Sequence, residues 1–282
     1  MPLTLKNISS SRSEPTFIFE IENWLDQDRF EALNQSFPQQ NNATEVKNKK
    51  LKFSRYSRGY RKFLNNNPRW KQFMRDLTSR SFLKECNDIY NKHYKRHEKW
   101  ELSGNFISNL INQYVLGRKL VDVKTEFSFM SKGAFIVPHT DAARKLVTLM
   151  LYFPTSDDAL LKKNGTKFWQ FRPEDAKRYS NFENRKYLAD AFANFDADAE
   201  CVYQTKFVKN HLYGFLKSDL SWHSVEPIEL KDGDSRNSIN ININSVQPFG
   251  LLSRRAKSLK NRLKIWAHRM LQSSRGLAGK AG

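Results

Sequence analysis

The cleanest alternation in the chain lies at residues 236–244 (RNSINININ), where polar and apolar positions exchange almost every step. A period of two is that of an extended strand, so Ile239, Ile241 and Ile243 share one face and Arg236, Ser238, Asn240, Asn242 and Asn244 the other. The isoleucines are predicted to enter a core. The polar face meets either solvent or the inside of a ligand-holding barrel. Residues 146–153 (LVTLMLYF) are instead almost continuously apolar up to Pro154, the pattern of a strand buried on both sides. Strands are also predicted at residues 17–21, 124–130, 135–137 and 212–216, with turns at 131–134 and 231–234.

Helical spacing governs other parts of the chain. Asp26 is placed to cap a helix that buries Phe30, Leu33 and Phe37. Residues 44–101 mix Lys and Arg with aromatics and are read mostly as helices packed beside the barrel. Residues 155–210 read as an insertion bordering a site, which makes Lys167, Trp169 and Arg172 candidate substrate contacts. Near the C-terminus, Leu252, Ala256, Leu259, Leu263, Trp266 and Met270 recur at steps of four and three, predicting a basic amphipathic helix within 250–282.

Chemistry enters with His139-Thr140-Asp141, His223 downstream, and Arg236 thirteen residues further on. Two imidazoles and a carboxylate on one face of an octahedral metal leave three positions open. Non-haem Fe(II) oxygenases use that arrangement to hold a co-substrate and O2 together. An arginine nearby can grip the far carboxylate of a keto acid through two parallel hydrogen bonds. A metal site beside Arg236 favours the polar face of 236–244 as a cavity lining. His93 and His97 are four apart, but the zinc-protease pattern H-E-x-x-H is absent, and a surface helix accounts for them. His211 is expected to be structural and His268 exposed.

These residues resemble a known family. His223-Ser224-Val225-Glu226-Pro227 is similar to the H-x-V-x-P element of prolyl-4-hydroxylase-like 2-oxoglutarate/Fe(II) oxygenases, and Gly133 with Pro138-His139-Thr140-Asp141 resembles their approach to the first two ligands. The run 147–152 is similar to the strand that follows, and Arg236 with Ser238 resembles an R-x-S pairing of related oxygenases. The resemblance spans residues 121–244. It implies a mainly β, double-stranded β-helix (jelly-roll) core with helices buttressing one sheet. It implies Fe(II) on His139, Asp141 and His223, and 2-oxoglutarate held at its far end by Arg236, Tyr152 and Ser238. O2 and an unidentified prime substrate complete the reaction. Halogenases of this class lack the carboxylate, so Asp141 implies hydroxylation ahead of desaturation or ring closure. Two positions depart from the pattern: Phe129 and Ile136 stand where tyrosines are common, and the interval from His223 to Arg236 is longer than usual.

Size and charge complete the reading. The 282 residues suit one domain, divided into supporting elements over 1–120, the catalytic core over 121–249 and the tail over 250–282. Two cysteines exclude a disulfide framework. No basic-then-apolar leader and no long apolar run stand out, so the expected location is cytoplasmic, with peripheral membrane attachment as an addition. The net charge of +19, with nine Lys/Arg and no acid in 250–282, suits an anionic substrate, an anionic membrane surface or an acidic protein. Basic residues interleaved with aromatics in 44–101 leave nucleic-acid binding on a non-catalytic jelly-roll scaffold as the alternative, although no nucleic-acid motif is present. A cupin without oxoglutarate is the third reading; it lacks the usual H-x-H and leaves Arg236 without a task.

Overall fold

The computed structural model describes residues 2–155, 163–171 and 199–247. Arg172, His268 and the tail helix expected within 250–282 lie outside them. Before the barrel come β1 (Ser10–Arg12), β2 (Ile18–Ile21), β3 (Thr44–Lys47), β4 (Lys50–Ser54) and β5 (Trp100–Leu102). The barrel strands are β6 (Lys119–Met130), β7 (Ile136–His139), β8 (Lys145–Tyr152), β9 (Lys167–Phe171), β10 (Ala199–Gln204), β11 (Leu212–Leu216), β12 (Trp222–Val225) and β13 (Arg236–Ser245).

From β6 onward the chain moves between two sheets. Strands β6, β13, β8 and β11 lie side by side in the larger sheet, and β7, β12, β9 and β10 form the smaller one. All pairings within these two groups are antiparallel. This order is the double-stranded β-helix, or jelly roll. The larger sheet is extended at one side by β2 and β1. At the other side, β6 is long enough for β4 to pair with its end, with β3 outside, and for β5 to run parallel along its beginning.

Two expectations are corrected. Residues 44–54 form a hairpin rather than a helix, because Leu51 and Phe53 pair with Phe129 and Phe127 on the edge of β6. The segment 155–210 is not simply an insertion: β9 and β10 within it complete the four-stranded smaller sheet. The register that seats β9 places Phe168 opposite His223.

The two faces of the larger sheet have different tasks. On its outer face, Phe127, Phe129, Leu149, Leu151, Ile239, Ile241 and Ile243 are buried in the main core. Helices α1 (Gln27–Gln35), α2 (Tyr60–Asn66), α3 (Pro68–Asp76) and α4 (Arg80–Tyr94) cover that face. Asp26 caps α1 as the sequence predicts, accepting from the Arg29 N–H at 3.4 Å. Trp70 packs edge-on to Phe127 with centroids 4.8 Å apart, and Phe37 meets Phe153 at 4.9 Å. Aromatic contacts of this kind add to what area burial alone provides. The inner face contributes Met130, Met150, Tyr152, Tyr213 and Phe215 to a second cluster shared with Phe168 and Val225 of the smaller sheet. Among the described residues, no helix is long and apolar enough to cross a membrane.

Candidate metal centre and anion pocket

The end of β7 and the middle of β12 set two imidazoles against each other. His139 and His223 are direct partners in the antiparallel register, and their ring centroids are 4.3 Å apart. Nδ1 of His139 lies 2.8 Å from the Val137 carbonyl oxygen, and Nδ1 of His223 lies 2.9 Å from that of Ser221. A carbonyl can only accept, so each Nδ1 carries the proton and each Nε2 keeps its lone pair. Asp141 follows β7 and completes the group: one ligand atom from each of the three residues lies within 4.8 Å of the others.

The protonation states suit a cation. Burial pushes His139 down to about 3, with His223 adding to the effect. Burial likewise lowers His223. Burial alone would raise Asp141, but Lys145, followed by the two imidazoles, holds the carboxyl well below its ordinary value. Neutral imidazoles and an ionised carboxylate are the forms that bind a metal. Lys145 Nζ sits 2.6 Å from Asp141 Oδ1, and the Thr148 hydroxyl donates to Oδ2 at 2.9 Å. Thr148 Oγ1 also lies 3.3 Å from the side-chain amide oxygen of Asn242 on β13. The polar face of β13 therefore looks between the sheets, as the cavity reading requires.

At the start of that face, Arg236 is 1% exposed. Its Nε donates to the Asn164 carbonyl at 2.7 Å, and its Nη2 is 3.2 Å from both Tyr152 Oη and Thr166 Oγ1. The guanidinium carbon lies 5.1 Å from the Tyr152 ring centroid and 5.4 Å from that of Phe207. Its remaining contacts are to the sulfurs of Met130 and Met150. Among the described residues, no carboxylate ion-pairs with it. A buried cation without a counter-charge is costly, so the pocket suits an anion. The next residue on the same face strengthens this: Ser238 is fully buried, and its hydroxyl has no hydrogen-bond partner among the described residues. Ser238 lies opposite Tyr152 in the sheet register.

All six predicted site residues thus face the space between the sheets, in two groups. His139, Asp141 and His223 form one; Arg236, Tyr152 and Ser238 form the other. Sequence reasoning missed Lys145, Thr148, Asn164, Thr166 and Tyr213. Thr148 carries a signal in retrospect, being a polar residue inside an apolar strand and an even number of steps from Tyr152. Asn164 and Thr166 reach Arg236 across about 70 positions of chain and carry no local signal. Thr166 also meets Tyr213 Oη at 2.7 Å. Gly165 sits between them because a Cβ there would lie 1.7 Å from the Thr205 carbonyl oxygen.

Other candidates fall elsewhere. Trp169 is buried and donates to Ser224 Oγ at 2.8 Å, a packing role. Lys167 forms an ion pair with Glu226. Phe129 points into the outer core, so a tyrosine there would not face the pocket. His93 packs against Phe17 with centroids 5.2 Å apart, and His211 is buried beside Glu20.

No protein-family model matches the chain. No curated protein matches it either. Similar solved structures include a prolyl-4-hydroxylase from Pseudomonas putida, 14% identical, covering 82% of this chain and 93% of its own, with a TM-score of 0.41. A prolyl hydroxylase from Trichoplax adhaerens, in complex with a hypoxia inducible factor peptide fragment, is 12% identical over 83% of this chain and 86% of its own, with a TM-score of 0.42. HygX from Streptomyces hygroscopicus, with nickel and 2-oxoglutarate bound, is 9% identical over 80% of this chain and 82% of its own, with a TM-score of 0.44.

Proposed function

We propose that the chain is an Fe(II)- and 2-oxoglutarate-dependent dioxygenase that hydroxylates an unactivated C–H bond of an anionic substrate. One observation carries this reading. A ligand-competent His139–Asp141–His223 group and a buried Arg236, with no counter-charge among the described residues, face the same space between two sheets. The donor set, two nitrogens and one carboxylate, suits ferrous iron and leaves coordination positions for a co-substrate and O2. When bound there, iron and 2-oxoglutarate would supply, with O2 as the oxidant, the oxidising power for C–H cleavage, the keto acid ending as succinate and CO2.

The protein's own residues bind and orient. His139 and His223 present Nε2 because Val137 and Ser221 fix the opposite nitrogen. Lys145 and Thr148 hold the Asp141 carboxylate in a single orientation. Arg236, Tyr152 and the Ser238 hydroxyl, which has no partner among the described residues, receive the far carboxylate of the co-substrate. Met130, Met150, Phe168 and Phe207 keep water from that end of the cavity. The +19 net charge supports an anionic substrate, since a positive surface concentrates negatively charged molecules. A chain with two cysteines, Cys86 and Cys201, and the need for reduced iron support a cytoplasmic setting.

The test is succinate formation from 2-oxoglutarate by protein loaded anaerobically with Fe(II) and then given O2. His139→Ala should abolish it. If the native protein neither forms succinate nor binds 2-oxoglutarate, the reading is wrong.

A further inference from the structure

Helix α5 (Phe106–Leu110) runs directly into a π-helical turn, Ile111–Val115, and the combined segment has its amphipathicity inverted. Its polar side chains turn toward the protein. Asn109 is fully buried, accepting from the Gly104 N–H at 2.8 Å and donating to Ser103 Oγ at 3.1 Å. Asn112 donates to Ser108 Oγ at 3.3 Å, and Gln113 donates to Gln247 at 3.0 Å. The apolar side chains turn outward: Ile107 is 70% exposed, Tyr114 60% and Val115 74%, with Phe106, Ile111 and Leu116 beside them. Among the described residues, Tyr56 and Leu220 are the large exposed hydrophobics that lie elsewhere. Scattered exposed apolar residues are ordinary, whereas a contiguous cluster marks an interaction surface.

The charge around this cluster selects its partner. Residues 92–120 carry Lys92, Lys95, Arg96, Lys99, Arg118 and Lys119 against Glu98 and Glu101 alone. Both acids are already ion-paired, Glu98 with Arg96 and Lys119, and Glu101 with Arg118. Gln247, hydrogen-bonded to the segment, is the last described residue before a tail with nine Lys/Arg and no acid. A second copy of a chain with net charge +19 would meet like charge here. An anionic bilayer offers both an apolar interior for the outward side chains and negative headgroups for the surrounding cations.

We infer that the outward face of residues 106–116 is a membrane-docking surface that inserts shallowly into anionic lipid. The basic residues on either side supply the electrostatic attraction. Docking places this edge of the protein on the lipid plane and is independent of the reaction proposed above.

Flotation of the full chain with vesicles tests the inference. The native protein should float with phosphatidylcholine–phosphatidylglycerol vesicles and not with phosphatidylcholine alone. Combined Ile107→Ser, Ile111→Ser and Val115→Ser should lower partitioning roughly tenfold or more, because exposed apolar area is what the lipid would bury. Leucine at the same three positions should bind like the native protein, and circular dichroism should show both variants folded. Unchanged binding by the serine variant would overturn the inference, as would equal binding to neutral vesicles. Tighter binding by the serine variant would also overturn it, pointing to the tail as the native cover of this face. A dimer seen by sedimentation equilibrium and dissolved by the serine substitutions would assign the face to a second copy instead.

Discussion

His139 and His223 are register partners across β7 and β12, and each ring is fixed by the carbonyl of the residue two positions earlier, Val137 and Ser221. One device is thus used twice. Two extended strands each turn an imidazole inward and lock its tautomer with their own backbone. The pair is prepared before any metal arrives.

That preparation makes metal binding a stabilising event. Adding Fe(II), or redox-inert Co(II), to metal-free protein at about 100 times Kd should stabilise the fold by roughly 2.7 kcal/mol. Differential scanning calorimetry would read this as a rise in Tm. His139→Ala should stay folded and lose the rise. An equal rise in that variant would place the metal elsewhere.

Arg236 combines high burial with the lack of an anionic partner among the described residues, which separates its role in binding from its role in folding. Arg236→Met should leave the stability of the unliganded protein within about 1 kcal/mol, because the cost of burying a guanidinium with no counter-charge among the described residues offsets its hydrogen bonds to Asn164, Tyr152 and Thr166. The same substitution should weaken 2-oxoglutarate binding by roughly a hundredfold or more through loss of a charge-assisted pair. Calorimetric titration and urea unfolding on one sample would show both. A large loss of stability with unchanged affinity would make Arg236 a structural residue.

Thr148 donates to Oδ2 of Asp141 and stands outside the His139, Asp141 and His223 group that could hold a metal. Thr148→Val keeps the shape and removes the hydroxyl, so metal affinity should fall by roughly 10 to 100-fold, the usual effect of losing an outer partner of a ligand. Equilibrium dialysis with Co(II) measures it. Affinity equal to that of the native protein would show that Lys145 alone orients the carboxylate.

Away from the centre, Glu20 on β2 is buried beside His211, 3.3 Å from its Nε2. Burial works to raise its carboxyl, but His211, Tyr203 and Lys206 together outweigh it and the net direction is down. A folded value below the unfolded one, about 4.3 for glutamate, means that the carboxylate stabilises the fold above that pH. This contribution is lost as pH falls through the folded value. Native protein should therefore exceed Glu20→Gln in stability at neutral pH, with the gap closing below about pH 4. A gap that widens on acidification would reverse the sign.

Much of this architecture was legible along the chain because strand period and ligand order are local facts. The alternation of 236–244 gave both faces of β13, and His139, Asp141 and His223 fell on or beside strand ends. Residues 44–54 were not legible. Lysines interrupt their apolar positions, and they become strands only because Leu51 and Phe53 find an edge of β6. The five residues of β9 are likewise too short to declare themselves, and pairing with β12 decides their state. The support of Arg236 by Asn164 and Thr166 is a product of the closed barrel, and nothing nearby in sequence announces it.

The two halves of the site hang from opposite leaves of the sandwich. The histidines belong to the smaller sheet and Arg236 to the larger one. A dicarboxylate reaching from metal to arginine is therefore a crosspiece that ties one leaf to the other. Filling the cavity should damp breathing between the sheets, so the co-substrate of the proposed reaction would also close the clasp around it.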